Sequence, residues 1–92
     1  MEYIISFKNT NFAIKAEQCL LDRKLNVRVL PLPSLIRAGC GICLRVNEDE
    51  IDLAMQSLEE EGIDEIAVYS RTEENNKLTY SKLENINAIY AR

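Results

Sequence analysis

The segment VRVLPLPSLIRAGCGICLRV, residues 27–46, contains two short apolar runs separated by prolines and glycines. The first run, residues 27–30, is rich in β-branched residues and stops at Pro31, which cannot donate a hydrogen bond to a neighbouring strand. The second run, residues 41–46, places Ile42, Leu44 and Val46 on one face, and Gly41, Cys43 and Arg45 on the other. Both runs therefore predict strands, and the loop between them leads into a CGIC motif.

Further strands and helices are predicted on both sides of this segment. Residues 2–7 read as a strand, and Asn9 or Thr10 can cap the helix that follows. The apolar positions of that helix have helical spacing and are Phe12, Ala13, Ala16, Cys19 and Leu20. Asn47 and Glu50 resemble a capping box at the start of a second helix, which Gly62 would end. Residues 63–70 predict a fourth strand.

The resulting element order, β-α-β-β-α-β, predicts an α+β fold for residues 1–70. It is typical of a two-layer sandwich of the ferredoxin-like kind, with both helices on one face of a four-stranded sheet. Residues 71–92 are expected to form a C-terminal extension that begins with the polar linker RTEENNK. Leu83, Ile86 and Tyr90 follow helical spacing, so the rest of the extension is expected to be a short helical segment.

Charge and residue usage exclude several functional classes. A net charge of −4 without a concentrated basic face argues against nucleic-acid binding. No apolar run is long enough to span a bilayer, and three cysteines without an export signal fit reduced thiols in the cytoplasm. The absence of histidine removes Ser-His-Asp triads, Cys-His pairs and His-bearing metal sites, and three cysteines cannot complete a four-thiolate zinc site. We therefore expect no metal and no cofactor.

The CGIC motif has the C-x-x-C spacing of a dithiol redox site. Redox motifs of this kind normally open a helix, whereas this one runs into a predicted strand. Three residues of extended chain span roughly 10 Å, beyond the ~7 Å that a disulfide tolerates between Cα atoms. The odd spacing would also point Cys40 and Cys43 to opposite faces if Cys40 is already extended. A disulfide would need a turn through Gly41.

Cys40 alone is the better candidate for a reactive thiol. Gly39 and Gly41 would leave its sulfur little shielded by neighbouring side chains, and Arg37 and Arg45 are close enough in sequence to favour a thiolate. The structural alternative is that the glycines mark a close backbone approach and that Cys40 simply packs there. Cys43 is more readily explained as a small buried residue than as a binding residue.

The pattern P-x-P-x-x-I, then C-G-I and L-R, resembles the selenium/sulfur carrier-like family of small bacterial proteins. It is made by Pro31, Pro33, Ile36, Cys40, Gly41, Ile42, Leu44 and Arg45, and the resemblance extends over roughly residues 2–70. The resemblance implies that Cys40 holds sulfur or selenium, as a persulfide or selenosulfide, for delivery to another protein. Two positions depart from the family: Ala38-Gly39 stands where a polar residue is often found, and Cys43 where a small apolar residue is usual.

These observations favour a sulfur or selenium carrier over a turnover enzyme, with donor and acceptor proteins as partners. In this hypothesis Arg37 and Arg45 stabilise the Cys40 thiolate, while Gly39 and Gly41 give the partners access. The alternative is a non-enzymatic module whose arginine-bearing loop binds an anionic metabolite or an acidic protein segment. Ferredoxin-like domains commonly pair through sheet edges or faces, which would give a homodimer. A dithiol oxidoreductase is a third hypothesis, and it would require both Cys40 and Cys43.

Overall fold

A computed structural model of the chain describes residues 1–36, 39–63 and 65–83. Within these residues the elements are β1 Glu2–Ser6, α1 Thr10–Asp22, β2 Val27–Pro31, β3 Ile42–Asn47, α2 Ile51–Glu60, β4 Ala67–Glu74 and β5 Lys77–Leu83. The predicted α+β class is confirmed, and the first six elements follow one another in the predicted order. The fifth strand was not predicted.

All five strands form one antiparallel sheet in the order β2-β3-β1-β4-β5. Helices α1 and α2 contact each other, and both contact β3, so they form a second layer on one face of the sheet. We call this face the helix side and the opposite face the open face. Because side chains alternate along a strand, each strand contributes to both faces.

The main core lies between the helices and the sheet. Strand β1 and the residues after it contribute Tyr3, Ile5 and Phe7, while α1 buries Ala13, Ala16 and Leu20 and α2 buries Ile51, Ala54, Met55 and Leu58. A smaller cluster covers the centre of the open face. It consists of Ile4, Ile36 and Cys43, with Leu30, Leu32, Tyr69 and Tyr80 packed against them. The sheet is therefore covered on both sides near its middle.

The start of α1 is capped as predicted, but the start of α2 is not. Asn9 accepts a hydrogen bond from the backbone N–H of Phe12 at 3.0 Å. Glu50 precedes α2 and makes no capping bond with its side chain. Its carboxylate instead accepts from the backbone N–H of Asn26, at 3.2 and 3.3 Å, so the predicted capping box with Asn47 is wrong. Gly62, with φ +72°, follows α2 as expected.

The predicted polar linker is wrong, because its residues belong to a β-hairpin. Strand β4 continues to Glu74, and Lys77 already belongs to β5. Between them Asn75 and Asn76 have φ of 52° and 65°, a pair of positive values that suits a two-residue hairpin turn. Of the residues expected to form a C-terminal helix, Leu83 ends β5, whereas Ile86 and Tyr90 lie outside the described residues.

Candidate functional site

Two backbone hydrogen bonds hold the loop between β2 and β3: one joins its two ends and the other forms a turn within it. Leu32 donates its backbone N–H to the carbonyl oxygen of Gly41 at 2.9 Å, and Ile36 donates to Pro33 at the same distance. The side chain of Ile36 is buried on the open face, while neighbouring Leu35 is 77% exposed. Arg37 lies outside the described residues, so the cation expected next to Cys40 in sequence has no described position.

Cys40 packs into the core on the helix side and is only 5% exposed. Its Sγ donates to the carbonyl oxygen of Ile42 at 2.9 Å and accepts from the backbone N–H of the same residue at 3.4 Å. The expectation of an unshielded sulfur is therefore wrong. Gly39 and Gly41 have no side chains that could cover the thiol, but the apolar residues of the helix-side core cover it instead.

The two glycines beside Cys40 have different surroundings. A Cβ at Gly39 would lie 1.8 Å from the carbonyl oxygen of Lys8, so this position requires a residue without a side chain. A Cβ at Gly41 would meet nothing within 4 Å. Gly39 thus marks a close backbone approach, as the structural alternative expected, whereas Gly41 faces open space next to Cys40.

A small cavity opens beside this end of the sheet. It has a volume of about 220 Å³ and is lined by Ser6, Phe7, Lys8, Gly39, Glu65, Ile66 and Ala67. Lys8 and Glu65 form a salt bridge at 3.5 Å, and the Lys8 ammonium also lies 4.6 Å from the centre of the Phe12 ring. The cavity shares Gly39 with the Cys40 loop, so the loop and the cavity form one continuous region.

Cys43 lies in the open-face cluster and is fully buried. Burial raises the pKa of its thiol to about 11; the nearby Cys40 also raises it, and Arg71 lowers it. Cys40 and Cys43 thus belong to clusters on opposite sides of the sheet, although Cys40 precedes β3 rather than lying in it, and both are free thiols. The arrangement does not favour the dithiol hypothesis.

Arg45 is not placed beside Cys40. Its Nη1 contacts Oε2 of Glu2 at 2.6 Å on the open face, whereas Cys40 packs on the helix side. Along β3, Arg45 is three residues beyond Ile42, a distance of roughly 10 Å in extended chain. The same Glu2 also binds Arg71 at 2.8 Å. Sequence reasoning missed Glu2 and Arg71, because their meeting depends on how β1 pairs with β3 and β4.

Neither described helix has the length and apolar character that crossing a bilayer requires. Among the described residues, no group of three or more histidine, cysteine or acidic side chains is arranged to hold a metal ion.

Comparison with known proteins identifies a family but no individual relative. A family described as putative Se/S carrier protein-like matches residues 2–70, which include both helices, strands β1 to β3 and the first half of β4. No curated protein and no solved structure matches the chain. The matched region includes Cys40, both flanking glycines and the loop that precedes them. Because it covers most of the chain, the protein belongs to the Se/S carrier-like family.

Proposed function

We propose that the protein carries sulfur or selenium on Cys40 and passes it to an acceptor protein. The observation that best supports this is the combination of family membership with the open space at Gly41, the residue that directly follows Cys40. No atom other than those of its chain neighbours lies within 4 Å of a Cβ placed at Gly41, so the backbone next to Cys40 is open to a partner on this side of the loop. Sulfur transfer needs such an approach, because the attacking and leaving sulfurs must come into line.

Loading would be a thiol exchange at sulfur. The Cys40 thiolate attacks the terminal sulfur of a donor persulfide; a new S–S bond forms at Cys40, the donor S–S bond breaks, and the donor leaves as a thiolate. Delivery repeats the step, with an acceptor thiolate attacking the terminal sulfur held on Cys40. Selenium would be held as a selenosulfide in the same position.

The surroundings of Cys40 define what must change before it can react. The bond from Sγ to the Ile42 carbonyl is lost when the thiol is deprotonated, while the Ile42 N–H remains available to a thiolate. Because the sulfur is largely buried, loading also requires the loop to move away from the core. In this proposal Gly39 holds the loop against Lys8, Gly41 provides the entry side, and Arg37, three residues before Cys40 in the sequence, supplies the cation. Cys43 and Arg45 take no direct part.

We also infer the finer features of fold, location and assembly. The order β2-β3-β1-β4 places β3 between the two strands joined by α1, and β1 between the two joined by α2, which supports a ferredoxin-like arrangement. Reduced thiols of this kind fit the cytoplasm. A homodimer would form through β2 or β5, the outer strands of the described sheet.

Loading can be tested with inorganic polysulfide as the probe. We expect wild-type protein to gain the mass of added sulfur in intact mass spectrometry, with the modified peptide containing Cys40. Cys40→Ser should abolish the gain, whereas Cys43→Ser and Cys19→Ser should retain it. Loading of Cys40→Ser at the wild-type level would contradict the proposal and favour a binding module, whose function would not depend on this thiol.

Access through Gly41 can be tested separately. Gly41→Leu should slow loading several-fold, because a bulky side chain would occupy the open space, while Gly41→Ala serves as the matched control with a small side chain. Both variants should have the same urea midpoint of unfolding as the wild type, because the Cβ of the new side chain would meet no atom within 4 Å. Equal loading rates for all three proteins would exclude Gly41 as the entry side.

A further inference from the structure

Three arginines lie in a row on the open face, far from the Cys40 loop. Arg28 of β2 is directly opposite Arg45 of β3, and Arg71 of β4 is directly opposite Glu2 of β1. Arg45 and Cys43 are two residues apart on the same strand and therefore share the open face. We call Arg28, Arg45, Arg71 and Glu2 the arginine row.

The arginine row is not electrically balanced. Glu2 binds Arg45 through one carboxylate oxygen, at 2.6 Å, and Arg71 through the other, at 2.8 Å. Arg28 forms no salt bridge with any other residue in the described part of the chain. Within the row, one carboxylate faces three guanidinium groups, in a protein whose net charge is −4.

Two further observations indicate that the arginine row contains unfavourable interactions within the protein itself. Like charges directly opposite on neighbouring strands repel each other, and Arg28 and Arg45 stand in that relation. The Nε of Arg45 is buried and has no hydrogen-bond acceptor among the described residues. A buried donor without an acceptor is unfavourable, so a shift of the Arg45 guanidinium that brought its Nε to an anion would be favourable.

We propose that Arg28 and Arg45 bind a doubly charged oxyanion of the phosphate or sulfate class. The planar fork of a guanidinium matches the spacing of two oxyanion oxygens, and two forks on neighbouring strands can hold one compact tetrahedral group between them. Cross-strand neighbours have Cβ atoms about 5 Å apart, which suits a single dianion better than the separate carboxylates of an acidic peptide. Glu2 holds the Arg45 guanidinium in place from the other side.

The proposed anion site is separate from the carrier site. Arg45 and Cys40 lie on opposite sides of the sheet, and Arg45 is near the end of β3 that is remote from the loop. Loss of anion binding should therefore leave sulfur loading on Cys40 unchanged, and Cys40→Ser should leave anion binding unchanged. The two proposals can fail independently.

The test is a titration of the full chain with sodium phosphate, with ionic strength held constant by sodium chloride. Arginine-selective proton–nitrogen NMR would follow the Nε–H signal of Arg45. We expect a saturable shift, and Arg28→Gln should weaken the apparent affinity about tenfold by removing one charged donor group. Arg23→Gln is the matched control, because Arg23 pairs with Glu60 and Glu61 and is remote from the row.

The outcomes distinguish the chemistry of the ligand. A shift that never saturates, or one unaffected by Arg28→Gln, would overturn the proposal, as would sodium acetate binding as tightly as phosphate. Glycerol 3-phosphate binding more tightly than inorganic phosphate would support an oxyanion carried on a larger molecule; weaker binding would support the free ion. Arg28 is exposed, so its replacement should not prevent folding, and Arg28→Lys would show whether charge alone is sufficient.

Discussion

Cys40 and Cys43 are separated by two residues, but they have different surroundings. Cys40 packs on the helix side and exchanges two hydrogen bonds with the backbone of Ile42, whereas Cys43 is buried on the open face. Strand β3 begins at Ile42, so Cys43 lies within the strand, whereas Cys40 lies in the bend that precedes it. Reactivity at each thiol is therefore decided by a different cluster of neighbours.

We predict that Cys43 contributes less to stability as the pH rises. Its pKa is raised by burial from 9.0 to about 11, so its stabilising contribution is intact below pH 9 and is lost as the pH passes through 11. The unfolding free energy of wild type should therefore exceed that of Cys43→Ala at pH 8, and the difference should shrink toward pH 11. Urea unfolding of both proteins at several pH values measures this difference in unfolding free energy. A difference that did not change between pH 8 and pH 11 would contradict a buried thiol that resists ionisation.

For single residues, the sequence indicated the sheet face of a side chain better than it indicated how deeply that side chain is buried. The odd spacing would place the two cysteines on opposite faces if Cys40 were already extended; they do lie on opposite faces, but Cys40 precedes the strand. It could not predict that Cys40 is covered, because the flanking glycines carry no sign of what packs against the loop from elsewhere. The partner of Arg45 was equally inaccessible, since Glu2 is 43 residues away and the contact depends on strand pairing.

The β4–β5 hairpin shows how an element can lack a clear sequence signal. Most β5 side chains are exposed, and apolar residues repeat with the period of two of a half-buried strand only at Leu78 and Tyr80. The acidic end of β4 resembles a linker for the same reason. Only Asn75-Asn76 indicates a turn, and asparagine is a weaker signal than the Asn-Gly pair typical of such hairpins.

We predict that Asn76→Gly stabilises the protein and Asn76→Ala destabilises it. The residue has φ of 65°, which glycine adopts freely and alanine adopts at a cost of about 1 kcal/mol. The midpoint of urea unfolding should rise for the glycine variant and fall for the alanine variant. The slope of the unfolding free energy against urea concentration should stay the same in both. Identical midpoints for the two variants would show that the hairpin turn does not require this conformation.

At the scale of the whole molecule, the sheet lies between the helix-side core and the open-face cluster. The helices cover one face, and the loop residue Ile36, together with Tyr69 and Tyr80, helps to cover the centre of the other. The order of the first six elements could be predicted because each has its own periodicity. The cover of the open face could not, because it consists of side chains from a loop and from a strand that the sequence did not reveal.

We predict that Ile4→Ala lowers the unfolding free energy by about 2–4 kcal/mol, as for a fully buried aliphatic residue. Val29→Ala is the control: Val29 is 40% exposed on an outer strand, and its truncation should cost less than about 1 kcal/mol. Far-ultraviolet circular dichroism and tyrosine fluorescence should report one common transition. Separate transitions, or a loss for Ile4→Ala no larger than the control, would show that the open-face cluster is not part of the core.

The burial of the two thiols on opposite sides of the sheet also affects how long a loaded sulfur would survive. A thiolate at Cys43 that attacked Sγ of a Cys40 persulfide would expel hydrosulfide and leave an internal disulfide, so the cargo would be wasted. Cys43 is buried on the opposite face of the sheet from Cys40 and remains protonated at neutral pH, with a pKa of about 11. In the proposed carrier, Cys43 would therefore be kept from discharging the sulfur on Cys40, and the lifetime of that sulfur would depend on encounters with other molecules.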